Sequence, residues 1–325
     1  MRNAFCVLAA VMFGATVQAH AQADYPNRPV TIMVPFAAGG PSDGYTRALA
    51  DEMSKVLKQQ VVVENKPGGG TIVGTATVAK AKPDGYTLGQ VSASFVLGPA
   101  VRTTLPYDTL KDFVAVATYV DAPLAIVAHP SFPANTLPEL IAEAKKRPAD
   151  RPFTYSSAGV GSIFHMASEM MQRKAGITLK HIVYNGEAAG MPDLLGGRVD
   201  IQLGTWGNQK PHVEAGKLKL IAMMYRKRMP EVANVPTTTE SNPELGLPLG
   251  AFNSLVAPAG TPKEVIAKLA DAVKQATATK AFEDRIIALA SYPQYLGPED
   301  TDKFLRTQIA NWTEIAKAAN IKLSD

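Results

Sequence analysis

The chain has 325 residues, of which 46% are hydrophobic and 19% are charged, so its composition excludes a disordered protein and predicts about two folded domains. Its net charge of +4 at pH 7 is too small for a nucleic-acid binder that relies on a basic surface. The single cysteine, Cys6, excludes a disulfide-dense fold and a zinc site built from cysteines.

The N-terminus has the features of a cleavable secretory signal. Arg2 precedes an apolar stretch at 4–16, which is shorter than the roughly 20 residues of a membrane-spanning helix. Small residues then alternate in the pattern that signal peptidase cleaves, and we place the cut after Ala21 or Ala23. The sequence therefore predicts a signal peptide at 1–23 and an exported, periplasmic protein. A membrane anchor is the alternative.

Strands and helices alternate along the rest of the chain, which is typical of an α/β fold with largely parallel sheets. A strand at 29–34 leads into a loop at 35–41 and then into a helix for which Ser42 is the predicted N-cap. Two more strands and a helix are predicted at 61–63, 86–91 and 71–81.

A second series of elements begins after Pro123. Thr136 and Glu139 predict a capping box at the start of one helix, and Ser162 is the predicted N-cap of another. The predicted strands lie at 124–128, 153–156, 199–203, 218–224 and 254–256. The tail is predicted to contain a helix opened by a capping box at 261–264 and a last helix from about Pro298.

Two loops share one design, and each half of the chain contains one of them. Both follow a strand, contain glycines and end at the start of a helix, at 35–42 and 157–162. Glycine lets the backbone approach a ligand closely, and amide groups at a helix start attract an anion. We therefore predict that the loops face each other across a cleft and bind an anionic small molecule without lysine or arginine. Ordinary strand-to-helix turns are the alternative.

Signals for other chemistry are weak. The Gly-Lys-Ser/Thr tripeptide of a P-loop does not occur, and neither loop carries the full glycine pattern of a dinucleotide fold. Ser162 and His165 lie three residues apart, so a secreted serine hydrolase is the enzymatic alternative. The other histidines are too scattered to predict a metal site, and we expect no cofactor.

Taken together, short motifs in a fixed order resemble those of the periplasmic solute-binding proteins of tripartite tricarboxylate transporters, the Bug or TctC-like family. The resemblance covers essentially the whole mature chain. The motifs that carry it are YPNRP at 25–29, VPFAAGGPSD at 34–43, VENKPG at 63–68, PDGYTL at 83–88, LPYD at 105–108, YSSAGVGSIFH at 155–165, DLLGGRVD at 193–200 and APAGTP at 257–262.

The resemblance implies a type II periplasmic binding protein, in which two α/β lobes joined by two crossovers close on a ligand in the cleft. Lobe one is expected at 24–121 plus 227–325, lobe two at 122–226, and the crossovers near 120–123 and 224–227. The family binds carboxylates, including dicarboxylates, tricarboxylates, amino acids and aromatic acids, and it is not enzymatic. The implied partners are a small carboxylate and the membrane permease subunits of the transporter. A ligand-sensing partner of a membrane kinase is the alternative to transport.

The resemblance also implies that one end of the ligand contacts the first loop and the other end contacts the second. We expect a monomer that binds no nucleic acid. The predicted ligand-binding residues are Phe36, Ala38, Gly39, Gly40, Ser42, Asp43, Ser92, Ser94, Phe95, Ser156, Ser157, Ala158, Gly159, Val160, Gly161, Ser162, His165, Tyr184, Asn185, Thr205 and Trp206.

Two departures from the family pattern bear on the ligand. Relatives usually have Val-Pro-Tyr-Lys/Arg-Gly where residues 182–186 read IVYNG, so a positive charge is missing beside the cleft. Many relatives have an aspartate where Gly204 stands, and glycine there would leave room for a second ligand carboxylate. Trp206, with Phe95 or Phe252, would stack on a flat ligand, which favours an aromatic acid such as terephthalate. Packing of Trp206 in the wall between the lobes is the alternative.

Overall fold

The structure is a computed structural model, and it describes residues 25–184, 186–247 and 250–318. The predicted signal peptide at 1–23 and the candidate ligand-binding residue Asn185 lie outside the described residues. No helix within the described ranges combines the length and the apolar character needed to cross a bilayer.

The described chain alternates between strands and helices, as predicted. The strands are β1 (Val30–Val34), β2 (Val61–Asn65), β3 (Thr87–Val91), β4 (Phe113–Ala122), β5 (Leu124–Ala128), β6 (Phe153–Ser157), β7 (Leu179–Val183), β8 (Ile201–Thr205), β9 (Lys219–Met224), β10 (Ala251–Pro258) and β11 (Tyr292–Leu296). The helices are α1 (Pro41–Leu57), α2 (Ile72–Ala79), α3 (Ala93–Val101), α4 (Leu137–Lys146), α5 (Ile163–Ala175), α6 (Glu187–Leu195), α7 (Trp206–Glu214), α8 (Thr238–Ser241), α9 (Lys263–Thr277), α10 (Lys280–Ala288) and α11 (Pro298–Ala318). Every predicted strand corresponds to one of these, whereas β4, β7 and β11 were not predicted.

The strands form two sheets, which agrees with the two-lobed α/β fold. The first sheet has the order β11-β4-β10-β3-β1-β2, and the second has the order β7-β6-β8-β5-β9. β1 is parallel to β2 and β3, and β6 is parallel to β7 and β8. In each sheet, the carboxyl ends of these parallel strands therefore lie at one edge, where the two glycine loops follow β1 and β6.

Helices with apolar faces cover the sheets. On the first sheet, α1, α9 and α10 contribute buried side chains such as Leu49, Leu269 and Phe282 to one core. The predicted apolar face of α11, which includes Leu305 and Trp312, is buried as expected from its helical spacing. The methionines of α5 are buried in the core too, so their predicted role as core residues is confirmed.

Neither predicted capping box forms completely. Thr136 is the N-cap of α4, as predicted, and accepts the backbone N–H of Glu139, but the Glu139 carboxylate accepts the N–H of Asn135 at 2.8 Å rather than that of Thr136. At the other site, the Thr261 hydroxyl donates to the carbonyl of Pro258 at 2.7 Å, and α9 begins without a side-chain cap. Glu139 and Thr261 thus each bond a backbone group in the turn that precedes the helix.

The chain passes between the sheets at two places that meet at Asp121. β4 ends at Ala122 and β5 begins at Leu124, so the first crossover is a single residue. After β9, the Tyr225 hydroxyl donates to Asp121 at 2.9 Å and Arg226 forms an ion pair with the same carboxylate. The segment that follows still packs on the second sheet, where Thr237 bridges to Met223, and the chain returns to the first sheet at β10, just after Gly250, which also lies beside Asp121. One carboxylate thus lies at both passages between the sheets and at the end of β9. The lobe boundaries at 121/122 and 226/227 remain predictions, and the strands on either side of them belong to different sheets.

We expect Asp121→Ala to lower the free energy of unfolding by about 1–3 kcal/mol, because the buried Tyr225 hydroxyl and Arg226 both lose their acceptor. Urea unfolding followed by circular dichroism measures the loss. The matched control is Asp302→Ala, which removes an exposed ion pair with Arg306 and should change the free energy by less than about 0.5 kcal/mol. Equal losses in the two variants would contradict the role of Asp121.

Candidate functional site

The carboxyl edges of the two sheets meet between the lobes. β1 ends at Val34, and β6 and β8 end at Ser157 and Thr205. α1 starts one loop after β1, and its Tyr45 lies near enough to Glu187 of α6 for that carboxylate to help burial in raising the pKa of Tyr45. Open α/β sheets bind ligands at this edge, so the region between the two edges is the candidate site.

Asp43 holds the first glycine loop in place. Its carboxylate accepts the N–H of Gly39 at 2.9 Å and the side-chain amide of Asn65, also at 2.9 Å. Asn65 donates in turn to the carbonyl of Phe36, and Arg47 pairs with the carboxylate. Burial opposes ionisation, but the hydrogen bonds from Arg47, Gly39 and Asn65 outweigh it and keep the pKa of Asp43 below its ordinary value. Asp43, which the sequence predicted as a ligand contact, braces the loop instead.

The first loop presents small residues to the outside. Ala38 and Gly39 are exposed, and Gly39 has φ +85°, a conformation that favours glycine. α1 begins at Pro41 with Gly40 as its N-cap, so the prediction that Ser42 caps the helix is wrong. Among the residues that the structure describes, no partner is found for the Ser42 hydroxyl or for the amides of Ala38 and Gly40. These donors remain available to a ligand.

α3 places two partly exposed serines beside the first loop and turns its aromatic ring away. Ser92 follows the end of β3, and Ser94 lies in the first turn of α3. Phe95 is buried and packs edge to face on Phe113, with 5.2 Å between the ring centroids. Phe252 is buried as well. Neither phenylalanine is therefore placed to stack on a ligand in the cleft.

The second glycine loop uses much of its own hydrogen-bonding capacity. The N–H of Gly159 donates to the Ser157 hydroxyl at 3.2 Å, and the N–H of Gly161 donates to Nδ1 of His165 at 3.1 Å. The N–H of Ser162 donates to the carbonyl of Gly159. The prediction that these amides are free to bind an anion is therefore wrong for all three residues.

Ser162 is the N-cap of α5, as predicted, because its hydroxyl accepts the N–H of His165. Two amides of the loop, those of Ala158 and Val160, have no acceptor in the described part of the chain. Val160 is also 51% exposed. The second loop therefore offers a ligand these two amides at the start of α5.

Two neutral histidines lie under the second loop. The Ser157 hydroxyl forms a hydrogen bond with Nε2 of His181 at 2.7 Å, and the rings of Tyr155 and His165 stack on His181. Burial lowers the pKa of both histidines, and the neighbouring His165 helps to lower that of His181 to about 4. The loop is thus supported by uncharged imidazoles, which contribute no positive charge to the site at neutral pH.

The hydrolase alternative finds little support in this geometry. The Ser162 hydroxyl contacts the backbone of His165, not its ring, which accepts from Gly161. Residues 40–44 read Gly-Pro-Ser-Asp-Gly and match a nucleophile-elbow pattern, yet no described histidine contacts Ser42. No cluster of three or more metal-ligating side chains is found within 25–184, 186–247 and 250–318.

Two other candidate hydroxyls are engaged within the chain. Ser156 is completely buried and accepts from the Gln202 side chain at 3.0 Å. The Tyr184 hydroxyl donates to Asp193 at 2.5 Å, and burial together with this carboxylate raises the pKa of Tyr184 to about 12. The structure therefore uses both hydroxyls to hold the second lobe together.

Trp206 packs in the wall between the lobes. Its side chain is 0% exposed and lies in a cluster with Ala125, Met223 and Met229, against which Tyr292 of β11 also packs. The ring has no face open to a ligand, so the predicted stacking on an aromatic acid is wrong. The alternative, packing between the lobes, is what the structure shows.

Glu187 is the site residue that the sequence did not reveal. Its carboxylate accepts the N–H of Thr205 at 2.6 Å and the Thr205 hydroxyl at 2.8 Å, and Asn208 also donates to it. Burial raises the pKa of Glu187 to about 7 in spite of these hydrogen bonds. A methyl group added at Gly204 would overlap the carboxylate, so Glu187 fills the space that glycine was expected to leave for a ligand.

A signal for Glu187 was present in the sequence. It follows Gly186 directly, at the start of the helix after β7, and it is the acidic residue nearest in sequence to the unusual IVYNG motif at 182–186. The sequence alone does not show that the space beside Gly204 is occupied, because Glu187, which fills it, lies on a different element. Thr205, predicted as a ligand contact, instead spends both donors on Glu187.

A family model and several solved structures resemble the chain. Residues 45–321 match the model described as tripartite tricarboxylate transporter family receptor, TctC. The periplasmic binding protein BugD is 35% identical, with a TM-score of 0.82, and the match covers 92% of this chain and 99% of BugD.

Two similar structures contain a ligand. A protein from Rhodopseudomonas palustris with adipate is 28% identical, with a TM-score of 0.83 over 92% of this chain and 99% of its own. MatC from the same organism, with bound malate, is 29% identical, with a TM-score of 0.80 over 90% of this chain and 99% of its own.

We expect Gly204→Ala to lower the free energy of unfolding by about 1–3 kcal/mol, because its methyl group would overlap Glu187 and lie 2.6 Å from Nε2 of Gln209. Thermal and urea unfolding measure the loss. In a Glu187→Ala background the loss should fall by at least half, since the overlap is removed. The control Gly297→Ala meets only ordinary contacts and should be nearly neutral. Additive losses would contradict the arrangement.

The stability of the protein should also report the titration of Glu187. A raised pKa means that the folded state binds the proton more tightly, so this contribution to stability is lost as pH rises from about 5 through 7. His165 and His181 have lowered pKa values and act in the opposite direction, since their contribution is lost as pH falls. The informative quantity is therefore the difference in Tm between wild type and Glu187→Gln, which should decline toward higher pH. A constant difference would show that Glu187 does not titrate in this range.

Proposed function

Because the chain belongs to the tripartite tricarboxylate transporter receptor family, we propose that it is a periplasmic binding protein for a small carboxylate, which it delivers to a membrane permease. Family membership supports solute binding, and the relatives that contain adipate and malate support a carboxylate as the ligand. The chain itself supports the same class of ligand through its two glycine loops.

The observation that carries this proposal is the pair of loops at the facing sheet edges. The first loop offers the amides of Ala38 and Gly40 and the Ser42 hydroxyl, and the second offers the amides of Ala158 and Val160. Each loop leads into a helix, α1 or α5, whose N-terminus attracts negative charge. A carboxylate can therefore be held at either end without a basic side chain.

Binding is proposed to close the lobes about the crossovers at 120–123 and 224–227. A ligand that contacts both loops favours the arrangement in which the loops are close together, so it shifts the population toward the closed form. The closed form would present a surface from both lobes to the permease. Since Trp206, Phe95 and Phe252 are buried, we propose an aliphatic rather than an aromatic carboxylate.

A ligand panel tests the proposal. Purified protein is screened by thermal shift with malate, adipate, hexanoate and terephthalate, and each hit is measured by isothermal titration calorimetry. One-to-one binding with unchanged ligand recovered afterwards supports a binding protein. If no carboxylate raises the Tm, or if the ligand is converted to a product, the proposal is wrong.

We expect Ser42→Ala to weaken binding of the best carboxylate about ten-fold, because one hydrogen bond to a charged group is lost. Titration calorimetry measures the change, and the Tm without ligand should stay within a few degrees of wild type. Ser131→Ala, in an exposed turn after β5, is the matched control and should bind as wild type does. Unchanged affinity of Ser42→Ala would remove the first loop from the site.

A further inference from the structure

We propose that Glu187 selects dicarboxylates in a proton-dependent way: when neutral it donates a hydrogen bond to one carboxylate of the ligand, and when ionised it repels that carboxylate. This inference rests on the proposed function and specifies the ligand and the pH dependence of the same site. It concerns the end of the ligand that faces the second lobe.

Glu187 lies where that end of a ligand would reach. It is the first residue of α6, at the carboxyl edge formed by β6, β7 and β8. Tyr45 of α1 approaches it from the other lobe, so it lies between the lobes rather than on the outer surface. The residue is neither fully buried nor fully exposed, so part of Glu187 reaches the surface at this edge.

No positive charge compensates Glu187 in the described part of the chain. The groups that face it are Thr205 and Asn208 from β8 and α7, and Tyr45 from α1, whose pKa burial raises to about 12. Tyr45 is therefore neutral near pH 7. A carboxylate in such surroundings is destabilised, which explains why its pKa rises to about 7.

The wall behind Glu187 is also neutral. Gln202 and Gln209 are almost completely buried there, and Gln202 donates to Ser156 and to the backbone carbonyl of Glu187. Oε1 of Gln209 has no hydrogen-bond partner among the described residues. The wall therefore supplies no cation that would hold Glu187 in its ionised form.

The hydrogen bonds between Glu187 and Thr205 bear on how dicarboxylate affinity changes when Glu187 gains or loses its proton. The backbone N–H of Thr205 keeps Oε1 as an acceptor, so a protonated Glu187 carries its proton on Oε2, from which the O–H can donate to the Thr205 hydroxyl or to a ligand carboxylate. A ligand carboxylate beside it would accept that hydrogen bond. An ionised Glu187 would instead place two like charges together in a partly desolvated site. Dicarboxylate binding should therefore weaken as pH rises above about 7 and should take up a proton there.

The experiment uses adipate as the probe and its monoamide as the matched ligand, because the amide end can donate to an ionised Glu187. Affinities of wild type and Glu187→Gln are measured by titration calorimetry at about pH 6 and pH 8. Wild type should bind adipate about ten-fold more weakly at the higher pH, as expected for a site that must be protonated near pH 7. Glu187→Gln, a permanent neutral donor, should bind adipate equally at both pH values. The monoamide should show little dependence on pH in wild type.

A second measurement needs no variant. Titrations of wild type with adipate near pH 7.5, in two buffers of different ionisation enthalpy, should show net uptake of a proton. No uptake, or the same pH response in Glu187→Gln, would overturn the inference. If hexanoate binds and adipate does not at any pH, the inference is wrong while the proposed function stands. If no carboxylate binds, both are wrong.

Discussion

The arrangement of the lobes depends on one carboxylate at the point where the chain changes sheets. Asp121 lies just before the first crossover. It accepts a hydrogen bond from Tyr225 and forms an ion pair with Arg226, and both of these residues come directly after β9. Pro123 lies in the same place, where its carbonyl accepts the N–H of Trp206. These bonds hold the end of β9 against the first crossover.

Hydrogen bonds within the chain hold both glycine loops. Asp43 fixes the first loop, and the Ser157–His181 and Gly161–His165 hydrogen bonds fix the second. This order reduces the number of amides that remain for a ligand, but it also reduces the conformational entropy that binding must remove. The proposed site, with few donors in fixed positions, would therefore recognise the spacing between two charged ends of a ligand.

Local patterns in the sequence predicted much of the fold. Strand periodicity located most strands, and the serine before α5 located that helix start, since both depend on neighbouring residues. The site was harder, because the roles of Glu187 and Trp206 depend on elements distant in sequence. Gly204 is an example: in the sequence it suggests open space for a ligand, but in the structure the Glu187 carboxylate occupies that space. The family could be predicted from the sequence because its short motifs occur in a fixed order along almost the whole chain.

Because Trp206 is buried between the lobes, its fluorescence should be sensitive to how the lobes are arranged. The chain has two tryptophans, and Trp312, in α11, belongs to a different hydrophobic cluster from Trp206. Trp206 belongs to a buried cluster with Met223, against which Tyr292 of the first sheet packs, and its indole N–H has no acceptor among the described residues. The proposed rotation of one lobe against the other would change what surrounds this ring. Its fluorescence spectrum would therefore report that rotation with no attached label.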